Sequence, residues 1–217
     1  MADPNVALYW DFENVHASAI GLRYGPDYYT TSRYRVQESI VDVQAIMDYA
    51  ATIGDIVINR AYNNWQYYSR YRDALLVHAI DLIQLFPKGA NAKNGADIRL
   101  ALDALQDVQN HPNVTHVVIV GGDSDFISLA QKLRQNGRSV IGIGVQGSTN
   151  RYWTQNCTEF KYYETITAAA EAENATKPQP TDSNPASQDL SVAQQLLVSP
   201  HSPDEAAILS ALVALLS

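Results

Sequence analysis

Four aspartates could do chemistry in this chain: Asp11 in YWDFENV, Asp97 in KNGADIRL, and Asp123 and Asp125 in VVIVGGDSDF. Neighbouring carboxylates repel, so a fold that gathers them must offset their charge. Backbone N–H groups at a helix start can do this, and so can a bound cation. Capping needs one residue per helix. GGDSDF supplies two, after glycines that let the backbone approach a ligand closely. A site rich in carboxylates and poor in histidine and thiol suits Mg2+ or Mn2+. His16 is the one histidine near an acidic loop and Cys157 is the sole cysteine, so a zinc site would lack its usual partners. The common task of such a Mg2+ or Mn2+ cluster is phosphoryl transfer, in which metal ions activate water and steady a leaving oxygen.

The elements that must position these residues alternate between strand and helix. VALYW, residues 6–10, is an apolar run that stops at Asp11. Ile40, Val43, Ile46, Met47 and Ala50 recur at helical spacing in a segment that starts at Glu38 and ends at Gly54, read as a positive-φ stop. DIVINRAY, IDLIQLF, THVVIV and SVIGIGV supply further strands, with helices through YRDALLVHA, GADIRLALDALQDVQ and DFISLAQKLRQNG between them. Near-continuous apolar strands separated by helices predict an α/β fold with a mostly parallel central sheet covered by helices on both faces. In such sheets ligands collect beyond the carboxyl ends of the strands, which is where the aspartates fall.

Each acidic residue also has a local reading. Asp11 could close a turn, with Asn14 steadying the loop or a water. Asp97 could answer the free N–H groups of a helix start. Ser124 could cap the following helix near Ile127 or Ser128. Asp103, six residues beyond Asp97, is assigned to the surroundings of the cluster and not to the cluster itself. Lys88 and Lys93 lie in LFPKGANAKNGAD, a polar loop suited to phosphate contact, although neither a P-loop nor a GxGxxG motif is present.

Charge and composition set the outer limits. The net charge of −8 excludes a uniformly basic nucleic-acid glove, yet residues 1–166 hold 14 Lys/Arg against 17 Asp/Glu, so a local positive groove is compatible. One cysteine and the lack of a basic-then-apolar leader point to a reducing, cytoplasmic setting, and no apolar run approaches the ~20 residues of a membrane helix. Residues 1–166 form the expected domain and 167–190 read as a flexible linker rich in Ala, Pro, Ser and Thr. Residues 191–217 return to helical spacing, as a docked helix or the start of a truncated second domain.

Candidate substrate contacts come from arginines interleaved with tyrosines. Arg23, Arg33 and Arg35 alternate with Tyr24, Tyr28, Tyr29 and Tyr34, and a second set runs RAYNNWQYYSRYR from Arg60 to Arg72. Base stacking combined with phosphate contact is how proteins grip single strands. For the second set, packing of some tyrosines on the sheet is an equal alternative.

WDFENV, KNGADIRLALDAL and VVIVGGDSDFISLAQKL, in that order, resemble the three signature blocks of the NYN domain, a branch of the PIN-like nuclease superfamily, and most nearly its LabA-like members. The resemblance covers about residues 5–165. It implies a Rossmann-like PIN fold and a metal-dependent endoribonuclease acting on single-stranded RNA. Its site would comprise Asp11, Asp97, Asp123 and Asp125, with Asn14 in support, and Lys88, Lys93 and Ser124 join the arginines above as candidate substrate contacts. The second block departs from the family's Lys-Gly-x-Asp, because the lysine is displaced by one place to Lys93. A non-cleaving RNA-binding or regulatory module that keeps the acidic pocket is the alternative, and self-association into a homo-oligomer is left open.

Overall fold

Alternate residues of the first strand face opposite ways, and that alternation builds two cores. In β1 (Asn5–Asp11), Val6, Leu8 and Trp10 enter one apolar cluster, whereas Ala7 and Tyr9 enter another. The structure is a computed structural model that describes residues 3–86 and 95–176, all within one compact unit.

Five more strands complete the sheet: β2 (Asp55–Asn63), β3 (Asp81–Gln84), β4 (Val114–Val120), β5 (Ser139–Gly144) and β6 (Glu159–Tyr162). Their order is β3-β2-β1-β4-β5-β6, and every neighbouring pair is parallel. One face is covered by α1 (Phe12–Tyr24), α3 (Val43–Ile53), α4 (Arg72–Val77) and α8 (Tyr163–Thr176), which pack Val15, Ile46, Leu75 and Ile166 into the first cluster. The other is covered by α5 (Gly95–Asn110), α6 (Ile127–Gln135) and α7 (Arg151–Asn156), through Leu100, Leu129 and Trp153. The expected α/β sheet with helices on both faces is therefore present. A short helix, α2 (Tyr28–Ser32), buries none of its residues.

The topology places the site. β1 lies between β2 and β4, so successive strands run outward from β1 in one direction and then, from β4, in the other. The carboxyl ends of β1 and β4 flank this switch point, where a crevice opens in doubly wound sheets. Asp11 is the last residue of β1, and Gly121 follows β4 directly.

Several local expectations change. Helix α3 begins at Val43, because Asp42 caps it by accepting from the Ala45 N–H at 2.9 Å. Gly54 has an extended φ of 163°, not a left-handed one. What requires glycine there is Pro4, whose carbonyl oxygen would collide with any Cβ. Strand β6 has the polar sequence EFKY and no apolar run to announce it. Helix α8 extends to Thr176, so residues 167–176, read as linker, are helical; their many alanines favour that state. The remainder of that segment and residues 191–217 lie outside the described residues. Among the described residues no helix is long and apolar enough to cross a membrane.

Candidate functional site

Asp11 is buried, with 5% of its surface exposed, where β1 turns into α1. Its Oδ1 accepts from the Asn14 N–H at 3.3 Å, so Asp11 does serve as a helix cap. The Asn14 side chain then crosses to the next loop, where its Oδ1 accepts from the Gly122 N–H at 2.9 Å. Asn14 thus takes up loop support, one of its two expected roles.

The Gly121–Gly122 turn is held from several sides. Gly121 N–H donates to the Ile143 carbonyl at 2.8 Å, and the Gly121 carbonyl accepts from Trp153 Nε1 at 2.9 Å. The Gly122 carbonyl accepts from the Asn150 N–H at 2.9 Å. A Cβ on Gly121 would lie 3.0 Å from the Phe126 ring and 3.3 Å from Asp11 Cβ. One on Gly122 would lie 3.0 Å from Thr149 Oγ1 and 3.2 Å from Thr149 Cα. The turn is crowded at both glycines, and a Cβ at either would need its neighbours to give by a few tenths of an ångström.

Asp97 reaches the same place from the first turn of α5. Asp97 lies close enough to Asp11 for each carboxyl to shift the other's titration. Burial raises Asp11 well above the usual carboxylate range, and the Asp97 charge adds to the effect against the lowering by the Asn14 N–H. Burial pushes Asp97 up to about 6, and its bond with Asp11 lowers it while Asp123, Asp125 and Glu13 raise it. Asp11 is the more deeply buried of the two, so burial disfavours its charged form more.

Asp123 precedes a short 3-10 turn, Ser124–Phe126, and caps it by accepting from the Asp125 N–H at 3.3 Å. Ser124 does not cap α6 as expected. Its hydroxyl donates to Asp123 Oδ1 at 3.2 Å, and Phe126 occupies the α6 cap position without a side-chain bond. Asp125 is exposed. The carboxylates therefore come from the ends of β1 and β4 and from the start of α5.

Other candidates have different surroundings. Asp103 accepts from the Tyr62 hydroxyl at 2.9 Å and pairs with Arg99 at 2.9 Å. It lines a separate polar groove with Arg60 and Asp107. His16 is fully buried, with Tyr71 Oη at 2.9 Å and Gln37 Oε1 at 3.0 Å on its two ring nitrogens. Burial lowers its pKa, and the environment is that of a core histidine. Of the second tyrosine set, Tyr62, Tyr68 and Tyr71 are buried in the core. The first set is more open. Tyr24 and Tyr28 stack with centroids 4.7 Å apart, Arg23 and Arg33 lie over Tyr24 and Tyr34, and Arg35 is exposed. Lys88 and Lys93 lie outside the described residues.

Sequence reading missed Glu13 and the Thr149, Asn150 and Trp153 clamp. Asn150 had a usable signal, as a cap-type residue before a short helix, where its side chain accepts from the Tyr152 N–H. Trp153, distant in sequence from Gly121, had none.

The donor set consists of carboxylate oxygens, which fits a hard divalent cation and no softer metal. Among the described residues no three carboxylate, histidine or cysteine side chains already converge as a ligand group. A bound cation would favour the ionised forms of the two raised carboxyls, Asp11 and Asp97.

A parallel α/β sheet in the order 3-2-1-4-5-6, with carboxylates at the strand ends beside its switch point, defines a Rossmann-like class of domain. The NYN domain model matches residues 5–164, and the chain belongs to that family. It is 32% identical over 110 residues to MJ0482, an uncharacterised protein of Methanocaldococcus jannaschii. That match covers 51% of this chain and 42% of the archaeal one, so the chain spans less than half of that relative's length. The fold is similar to the crystal structure of VPA0982, a protein of unknown function from Vibrio parahaemolyticus. The TM-score is 0.55 at 21% identity, covering 74% of this chain and 93% of that one.

Proposed function

We propose that this chain is a Mg2+- or Mn2+-dependent endoribonuclease that hydrolyses phosphodiester bonds of single-stranded RNA, a LabA-like member of its family acting in the cytoplasm. The observation that carries the reading is the meeting of Asp97 with Asp11. Two carboxyls from separate elements shift each other's titration, and the charges of Asp123 and Asp125 add to the rise at Asp97.

Asp11, Asp97, Asp123 and Asp125 would hold the cation, which when bound supplies Lewis acidity toward water and phosphate. Asn14 keeps the two acidic loops in register through Gly122. Arg23, Arg33 and Arg35 would meet phosphates and the exposed tyrosines beside them would stack on bases. Lys88, Lys93 and Ser124 are further proposed substrate contacts.

A cleavage assay on short RNA across divalent ions tests this. We expect turnover with Mg2+ or Mn2+ and products bearing 5′-phosphates. Retained RNA binding without turnover under any ion would leave a non-cleaving RNA-binding module instead.

A further inference from the structure

One oxygen of Glu13 faces two residues of the tyrosine and arginine arm. Glu13 lies in the first turn of α1, two residues past Asp11. Its Oε1 accepts from the Tyr29 hydroxyl at 2.8 Å and lies 3.8 Å from Arg33 Nη2. The Tyr29 hydroxyl also meets the Tyr68 hydroxyl at 3.0 Å, and Tyr68 is in the core. Tyr29 belongs to α2 and Arg33 is its C-cap, so the helix that buries none of its residues is tied down through this carboxylate.

The two contacts differ in strength. The tyrosine bond is short and partly buried, whereas the arginine contact is beyond hydrogen-bond distance and its side chains are 33% and 41% exposed. An exposed ion pair of that length contributes little, while a guanidinium binds a phosphate through two parallel hydrogen bonds. Glu13 also lies close enough to Asp11 and Asp97 for its charge to raise both. Arg33 is therefore parked beside the acidic crevice on a partner that it can leave.

We infer that Glu13 is a positioning residue: its carboxylate keeps Tyr29 anchored and lends Arg33 to an incoming RNA phosphate, which competes with Glu13 for the guanidinium. The inference rests on the RNA reading above. Exchange needs no movement of α2, because the tyrosine bond to Glu13 and its contact with Tyr68 persist when Arg33 turns away.

The test is a double-mutant cycle on binding of a short fluorescein-labelled oligouridylate, followed by anisotropy in chelator so that no cleavage intervenes. Glu13→Gln keeps an acceptor for Tyr29 but releases Arg33, and should tighten binding by up to about fivefold, the fold-change equivalent to an exposed ion pair. In an Arg33→Ala background the same substitution should leave the affinity unchanged. Glu13→Ala, which also frees Tyr29, should bind more weakly than Glu13→Gln. Equal tightening by Glu13→Gln in both backgrounds would reduce the effect to simple loss of a negative charge and overturn the exchange. An unchanged affinity with Arg33 present would overturn it as well. If the parent binds no RNA, the RNA reading itself fails, a result distinct from either.

Discussion

Asn14 Oδ1 accepts from the Gly122 N–H at 2.9 Å, and this one bond ties the loop bearing Asp11 to the loop bearing Asp123. Removing the acceptor leaves a partly buried N–H without its partner. Asn14→Ala should cost about 1 to 3 kcal/mol of stability in urea unfolding. Under the nuclease reading, cleavage should fall further than the folded fraction does, because the two loops lose their register. Cleavage that tracks the folded fraction would make Asn14 a purely structural residue.

Gly122→Ala tests the same turn from its other wall. The new Cβ would press on Thr149 Oγ1 at 3.0 Å and on its Cα at 3.2 Å, and the second contact is with backbone that cannot swing away. Overpacking of this kind costs about 1 to 3 kcal/mol. The expected result is a lower melting temperature and a weaker response to Mn2+, since the turn must shift the aspartate that follows it. A melting curve superimposable on the parent's would show that the turn has slack.

Much of this arrangement was legible from the chain. Asp11 and Asp123 were found because continuous apolar strands end just before them, and a parallel sheet puts those ends on one side. Asp97 was found because its helix has a clear apolar period. Asp103 shows the limit of spacing: six residues along a helix is 600° of rotation, which turns it from Asp97 toward Tyr62 and Arg99. Gly54 shows another limit, because the collision that demands glycine is with Pro4, and nothing in the local pattern reveals that approach. Glu13 was passed over because a glutamate at a helix start is already explained by the free N–H groups there, and its links to Tyr29 and Arg33 are tertiary.

The raised carboxyls predict how stability varies with pH. Asp97 lies at about 6 in the folded protein against an ordinary value of 3.8, and Asp11 is also raised. The folded state thus binds these protons more tightly than the unfolded chain does. Their contribution is fully present below about 3.8 and is lost as pH rises through about 6 and beyond. Metal-free protein should therefore lose stability from these groups across that window, and Asp97→Asn should flatten the loss. Urea unfolding at a series of pH values in chelator measures it. A parent and variant with parallel profiles would remove the strained pair from the account.

Divalent cations should separate the aspartates of the crevice from Asp103. The charges of Asp123 and Asp125 add to the rise at Asp97 when no cation is present, and a cation that binds only the folded state adds stability by mass action. Asp123→Asn keeps an acceptor for the Asp125 N–H, which lies 3.3 Å from Asp123 Oδ1, and asparagine is a good cap. Asp125 is exposed, so its replacement by asparagine should disturb packing little. Both variants should melt near the metal-free parent or slightly above it, yet lose most of the stabilisation by Mg2+ or Mn2+ and most cleavage. Asp103→Ala should do the reverse. It leaves the Tyr62 hydroxyl without its acceptor and breaks the 2.9 Å pair with Arg99, at a cost of about 1 to 3 kcal/mol, while the Mn2+ response persists. Thermal unfolding of the parent and the three variants, with and without Mn2+, reads both effects at once. If capping alone explains Asp123, its replacement by alanine costs about 1 kcal/mol equally with and without the ion. A parent whose melting temperature ignores both cations, together with calorimetry that finds no binding, would remove the physical basis of metal-dependent cleavage.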